Sequence, residues 1–111
     1  MTTTTFFFDR PEAHAAFSTP RMGKATLVQG SQMMVGLNAF EPGQEHSAHA
    51  HEGVDKLYHV LEGEGEFSVG EERQKLGPGA LVWAPAGASH GVRNVGGGRL
   101  VVLVVMAPPP R

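Results

Sequence analysis

The sequence predicts a single all-β domain folded as a jelly-roll barrel, and three observations predict it. Short runs of alternating apolar residues are separated by turn-forming residues, since the 111 residues include 15 glycines and 8 prolines. No segment shows a sustained helical period, and only residues 11–17 suit a short helix. Eight or nine short strands in such a chain bury their faces, and lose their exposed edges, by closing into a barrel.

Turn residues divide the chain into nine strand-forming segments. The last segment is almost purely apolar, so we expect both of its faces to be buried. We expect an N-terminal arm over residues 1–23, one barrel domain over residues 24–107 and a stiff or frayed tail over residues 108–111. The predicted strands are residues 24–29, 32–40, 46–51, 56–61, 66–69, 73–76, 80–84, 90–95 and 99–106.

The composition excludes several classes of function. The net charge is −2 and the nine lysines and arginines are scattered, so we expect no nucleic-acid partner and no anionic membrane partner. The chain has no cysteine, which rules out disulfides and thiolate metal sites. The N-terminus lacks the basic start and apolar stretch of a signal peptide, and we expect a cytoplasmic protein.

The residues that point to chemistry are a histidine pair and a third histidine further along the chain. Residues two apart in a strand point the same way, so His49 and His51 share a face and are placed to bind one divalent ion. His90 begins another strand, directly after a Pro-x-Gly turn, and offers a third imidazole. The same alternation puts His46 on the opposite face, where it is either a solvated turn residue or a fourth ligand.

Neutral imidazoles suit a divalent transition metal such as Fe, Mn, Ni or Zn rather than Ca or Mg. Three protein ligands leave coordination positions free for water or substrate, as catalytic sites require. The three histidines therefore predict a metal site that is open to a small molecule.

Two segments around these histidines resemble the two motifs of the cupin superfamily. The first motif is a glycine, five residues, His-x-His, three or four residues, a glutamate, six residues and a glycine. The second is a glycine, five residues, Pro-x-Gly, two residues, a histidine, three residues and an asparagine. The resemblance covers roughly residues 35–106 and implies a double-stranded β-helix barrel with a central metal, and a homodimer. The matching positions are Gly43, His49, His51 and Gly63 in the first motif and Gly79, Pro85, Gly87, His90 and Asn94 in the second.

One position departs from the family's pattern. Lys56 stands where the family usually places a glutamate ligand, and a protonated lysine does not bind a metal. Asp55 fits a shorter spacing and would reach the metal only if its strand is shifted or bulged by one residue. Three interpretations stay open: the three histidines alone, the three histidines with Asp55, or a barrel that has lost its metal.

The residues around the site indicate the charge of the ligand. Three neutral ligands leave the charge of the metal uncompensated, and Lys56 adds to it, so we expect an anionic, chelating small molecule. Lys56 is either a pocket residue or a side chain that extends to the barrel mouth and pairs with Asp55 or Glu52. The expected pocket residues are Lys56, Tyr58, Phe67 and Trp83, and Val69, Leu81 and Val92 are expected to fill the barrel with them.

These features favour a metal-dependent enzyme that acts on a small carboxylated or enolised molecule. The resemblance implies dioxygenase, decarboxylase or isomerase chemistry, and the fold does not choose among them. The alternative is a non-catalytic barrel that binds or senses a small ligand, which the missing glutamate favours. A purely structural dimer partner is a third interpretation, and the cost of burying imidazoles without a role speaks against it.

Overall fold

The computed structural model describes residues 5–110, which contain nine strands and one short 3₁₀ helix. Each strand lies where the sequence predicts one, and the largest difference is in the third, which ends at His49 instead of residue 51. No helix in this part of the chain is long and apolar enough to cross a bilayer. The elements are a 3₁₀ helix at Pro11–His14 and strands β1 Gly23–Gln29, β2 Met34–Phe40, β3 Glu45–His49, β4 Asp55–Glu62, β5 Gly65–Val69, β6 Glu72–Leu76, β7 Leu81–Ala84, β8 His90–Asn94 and β9 Leu100–Ala107.

The strands form two antiparallel sheets. The larger sheet has the order β1-β2-β9-β4-β7 and the smaller sheet has the order β3-β8-β5-β6. Strands that neighbour each other in a sheet are often far apart in sequence, so the chain crosses repeatedly from one sheet to the other, as in a jelly roll. The predicted fold class is confirmed.

The core lies between the two sheets and is centred on β9. This strand lies between β2 and β4, and its inner face is buried. On its outer face Val101 is buried and the three other residues are half-buried, so the expected burial of both faces holds only in part. Burial of large aliphatic and aromatic side chains on the inner face is the main stabilising term for such a domain. The core consists of Phe40, Tyr58, Val60, Phe67, Val82, Ala84, Val92, Leu100, Val102, Val104 and Met106.

The N-terminal arm covers part of the outer face of the larger sheet. Ala39 and Val101 pair with each other and point outward, yet both are almost fully buried. The 3₁₀ helix contacts β9, and a side chain at Gly23 would overlap the carbonyl oxygen of Ala16. Glycine is therefore required where the arm crosses the edge of the sheet.

The other part of that outer face, over β4 and β7, is open. Leu81 and Trp83 alternate with the buried Val82 and Ala84 along β7, so their side chains point away from the barrel. Leu81 is 64% exposed and Trp83 is 55% exposed. The prediction that these two residues fill the barrel is wrong, because the strand presents the other face to the core.

Candidate metal centre

Three histidines meet at one end of the barrel. His49 is the last residue of β3, His51 follows it two residues later, and His90 opens β8. His49 and His90 are direct cross-strand partners. Each of the three offers a ring nitrogen, and these nitrogens lie within 4.8 Å of one another. The structure thus brings together the three residues that the sequence predicts as metal ligands.

Two of the three imidazoles are oriented by the backbone. The Nδ1 of His49 lies 2.7 Å from the carbonyl oxygen of Ser47, and the Nδ1 of His90 lies 3.0 Å from that of Ala88. A carbonyl oxygen only accepts, so each Nδ1 carries the proton and donates it, which leaves Nε2 with a free lone pair. Both Nε2 atoms are buried and have no hydrogen-bond partner in the described chain.

This arrangement fits a divalent transition metal. Metal-binding histidines usually donate the second ring N–H to a carbonyl or a carboxylate, which fixes the tautomer and turns the other nitrogen to the ion. Buried polar atoms without a partner are rare in folded proteins and call for a ligand or an ion. The two unpartnered Nε2 atoms, beside His51, meet that description.

The local environment favours the neutral form of two of these imidazoles, His51 and His90. Burial, as the largest cause, together with the charges of Lys56, His49 and His51 lowers the pKa of His90 to about 4, and the hydrogen bond to Ala88 opposes the shift. Burial, followed by the charges of His49, Lys56 and Lys24, also lowers the pKa of His51. A neutral imidazole is the form that binds a metal, so the site is ready for an ion at neutral pH.

His46 lies on the same side as the other histidines, which corrects the prediction from strict alternation. His46 pairs with Val92 and His49 pairs with His90, so β3 holds one residue more than β8 between these pairs. The bulge turns His46 inward, and its ring centroid lies 4.3 Å from that of His49. Its Nδ1 is buried without a partner, and burial, ahead of nearby charges, lowers its pKa to about 3.

One residue in the sequence signals this bulge. Gly91 interrupts β8 opposite the irregular segment, and a β-carbon there would lie 3.0 Å from the backbone nitrogen of Ala48. An isolated glycine within a strand often marks a bulge or a close approach of another backbone. Gly91 therefore provides the room for the bulge that brings His46 to the site.

Asp55 does not join the histidine group in the described chain. Its side chain is exposed, and its Oδ1 accepts a hydrogen bond of 2.9 Å from the backbone N–H of Ala86. The register at this end of β4 is regular, so no bulge turns Asp55 inward. Of the interpretations left open by the sequence, this geometry corresponds to three histidines without a carboxylate.

Lys56 points into the barrel beside the histidines. It is only 3% exposed, and its Nζ lies 4.9 Å from the centroid of the Tyr58 ring. Burial, followed by the charge of Lys24, lowers the pKa of Lys56 to about 8. The ion pairs of the described chain are Arg10–Glu12 and Arg99–Glu41, so Lys56 pairs with neither Asp55 nor Glu52.

A cavity of about 240 Å³ connects these groups. Its polar wall combines imidazoles with lysines, and its apolar wall comes from β2 and β9. No carboxylate is among the residues that line it. The lining consists of Lys24, Ala25, Thr26, Met34, Gly36, Leu37, Asn38, His46, His49, His51, Lys56, Val104, Met106 and Pro110.

The other predicted pocket residues divide into two groups. Tyr58 and Phe67 lie in the core with ring centroids 5.5 Å apart, and the Tyr58 ring centroid lies 6.1 Å from that of His90. The Tyr58 hydroxyl is buried without a partner in the described chain, and burial raises its pKa. Trp83 lies on the outer surface, and with Phe67 it lines a groove separate from the histidine cavity, so the prediction that Trp83 lies inside the barrel pocket is wrong.

Comparison with known proteins agrees with this geometry. An uncharacterized protein of Streptomyces coelicolor, SCO3923, is 36% identical over 77 residues, which are 69% of this chain and 71% of that protein. An oxalate-binding protein of Thermotoga maritima is 32% identical over 65 residues, which are 59% of this chain and 54% of that protein. The crystal structure of TT1209 from Thermus thermophilus is 43% identical with a TM-score of 0.88, covering 93% of this chain and 98% of that one.

The family comparison covers the histidine group and Lys56. The description of the matching family is "Cupin domain", and the match extends over residues 36–106. This range is more than half of the chain and includes the three converging histidines, the bulge in β3 and Lys56. The chain belongs to the cupin family.

Proposed function

We propose that this protein is a metal-dependent enzyme of the cupin type that acts on a small, anionic, chelating molecule. His49, His51 and His90 would hold the metal, with ring nitrogens that lie within 4.8 Å of one another. The observation that carries the proposal is the pair of buried, unpartnered Nε2 atoms whose tautomers are set by backbone carbonyls. Such atoms are expected to have a partner, and the donor set suits Fe, Mn, Ni or Zn.

The donor set also bears on the kind of ligand. Three neutral imidazoles leave the charge of a bound divalent ion uncompensated, and open positions remain for a chelating molecule. When bound, the metal would supply a Lewis acid for an oxygen ligand, which suits decarboxylation, isomerisation or oxidation by dioxygen. A relative carries the name oxalate-binding protein, and oxalate is a small chelating dianion, which supports an anionic ligand here.

Metal content is the test of this proposal. Tag-free protein is analysed by elemental mass spectrometry as wild type, His51→Ala, Asp55→Ala and His59→Ala. We expect near-stoichiometric metal that is lost only in His51→Ala, because Asp55 bonds to Ala86 and His59 alternates with inward-facing residues. Wild-type protein that takes up none of Fe, Mn, Ni or Zn would contradict the proposal.

The second candidate is a barrel that binds a small anion without converting it. The absence of a carboxylate from the histidine group and the name of the oxalate-binding relative favour this candidate. Mass spectrometry of candidate acids after incubation with metal-loaded protein, under air and under nitrogen, separates the two. An acid that binds and is recovered unchanged under both atmospheres supports the binding protein.

We also propose that the protein is a homodimer. The outer face over β4 and β7 exposes Leu81 and Trp83 beside Leu57, their neighbour on β4. Such apolar patches are frequent at protein interfaces. Light scattering after gel filtration should give a dimer mass for wild type and a monomer mass for Trp83→Glu, with metal content unchanged. A monomeric wild type contradicts the homodimer.

A further inference from the structure

We propose that Lys56 is the residue that recognises the acidic group of the ligand, through an ion pair between its ammonium and a ligand carboxylate. The inference rests on the proposed function, because His49 and His51 of the histidine group line the same cavity as Lys56. It adds a specific ligand class: small acids that carry a carboxylate and a second oxygen donor, such as dicarboxylates and 2-oxo or 2-hydroxy acids.

The first step is the burial of Lys56. The residue is 3% exposed, and the contact that its ammonium makes within the described chain is with the ring of Tyr58, at 4.9 Å. An aromatic face attracts a cation but accepts no strong hydrogen bond. A buried ammonium normally has an anionic partner or hydrogen-bond acceptors, because removing it from water is unfavourable. Lys56 therefore lacks the partner that its position requires.

The second step is the charge of the cavity. Lys24 and Lys56 both line it, together with the imidazoles of His46, His49 and His51, and no aspartate or glutamate of residues 5–110 does. A divalent ion on the histidines would make this space still more positive. The compensating negative charge has to come from a molecule that enters the cavity, because the lining residues do not supply it.

The third step excludes a surface role for the lysine. A lysine that extends to the barrel mouth would expose its ammonium or pair with an acidic neighbour. The side chain is instead buried, and Asp55 next to it turns outward to the backbone N–H of Ala86. The amine thus faces the interior, where a ligand bound at the histidines would meet it.

The fourth step is size. A cavity of about 240 Å³ holds on the order of eight groups of the size of water, taking roughly 30 Å³ for each. This space suits an acid of a few carbons and not a large aromatic or sugar acid lying wholly inside. Met34, Val104 and Met106 line the rest of it with apolar surface, which suits a short carbon chain.

The test measures oxalate binding and metal binding separately. Tag-free wild type, Lys56→Met, Lys56→Gln and Lys75→Met are loaded with the metal found in wild type and titrated with oxalate by calorimetry. We expect both Lys56 variants to keep the metal and to bind oxalate roughly 10-fold to 100-fold more weakly, as expected for a lost hydrogen bond to a charged group. Lys75→Met removes an exposed charge on β6, outside the described lining of the cavity, and should change the affinity less than about 3-fold.

Thermal unfolding separates ligand recognition from a structural role. Removing a buried charge that has no partner should raise the Tm of metal-free Lys56→Met, whereas removing a structural ion pair would lower it. Wild-type affinity for oxalate in metal-loaded Lys56 variants, or no oxalate binding by metal-loaded wild type, overturns the role of Lys56 and leaves the metal site intact. Failure of wild type to bind metal overturns the proposed function, and the role of Lys56 with it.

Discussion

Strand β8 carries a buried polar side chain at each end, and the two differ in how their hydrogen-bonding groups are used. Asn94 is 2% exposed, and its amide donates to the carbonyl oxygens of Phe40 and Gly98 while its Oδ1 accepts from the N–H of Gly96. His90 is 1% exposed, and one of its two ring nitrogens has no partner in the described chain. Both the amide nitrogen and the amide oxygen of Asn94 are hydrogen-bonded within the fold, whereas the Nε2 of His90 has no partner in the described chain.

This difference separates the structural end of the barrel from the functional end. The asparagine bonds the turn between β8 and β9 to the end of β2, so these hydrogen bonds stabilise the end of β8 that lies away from the histidines. The Nδ1 of His90 bonds to the carbonyl of Ala88, which orients the ring, and in the proposed function its Nε2 binds the metal. Two buried polar residues of one motif thus serve stability and binding respectively.

Removing His90 should have the largest effect on binding. We expect His90→Ala to weaken metal affinity by more than roughly 100-fold, since losing an outer-shell partner alone costs about 10-fold to 100-fold. Competition with a chromophoric chelator measures the affinity, and His59→Ala serves as a control that removes an imidazole outside the barrel. If His90→Ala retains the metal with wild-type affinity, His90 is not a metal ligand and the proposed site at this end of β8 is wrong.

Removing Asn94 should have the largest effect on stability. We expect Asn94→Ala to lower the free energy of unfolding of the metal-free protein by about 2–4 kcal/mol, because it leaves the buried carbonyl of Phe40 and part-buried backbone groups of Gly96 and Gly98 without their partner. Urea unfolding measures this loss, and metal stoichiometry at low temperature should remain that of wild type. A loss below about 1 kcal/mol would show that water replaces these bonds.

Lowering the pH should decrease the free energy of unfolding through His90, by less than the Asn94 substitution does. Burial lowers the pKa of His90 to about 4 in the folded protein, while the unfolded chain keeps the ordinary value near 6.5. Between these values the unfolded state binds a proton that the folded state does not, so stability falls as the pH decreases from about 6.5 towards 4.

Urea unfolding of chelator-treated protein at pH 7 and pH 5 measures this linkage. The expected loss is on the order of 1–2 kcal/mol, and it should be smaller in His90→Gln, which has no titrating ring. An equal loss in both proteins would assign the acid sensitivity to other groups, of which His46 is the first candidate because burial lowers its pKa to about 3.

The sequence is sufficient to predict the strands and the histidine triad. Alternating apolar residues and turn-forming residues locate all nine strands of the described chain, because local geometry sets both signals. His49, His51 and His90 are found from their spacing, and their convergence agrees with it. These residues alone indicate the end of the barrel at which we propose that a ligand binds.

Two features depend on tertiary structure and were not predicted. The bulge that turns His46 inward arises where β3 lies against Gly91. One extra residue in β3 between His46 and His49 interrupts the alternation of side chains between the two faces of the strand. Trp83 was placed in the barrel because both faces of the larger sheet carry apolar residues, so hydrophobicity does not indicate which face is inward. Both errors concern the direction of a side chain on a correctly located strand.

The anchoring of the two oriented histidines is local. Each donates its Nδ1–H to the carbonyl of the residue two positions earlier, His49 to Ser47 and His90 to Ala88. The orientation of each of these two imidazole rings is therefore set within a three-residue segment and does not depend on a distant side chain. Under the proposed function, the walls of the cavity would be free to change through substitution while the three histidines keep their orientation, so one centre would be able to serve a succession of different small acids.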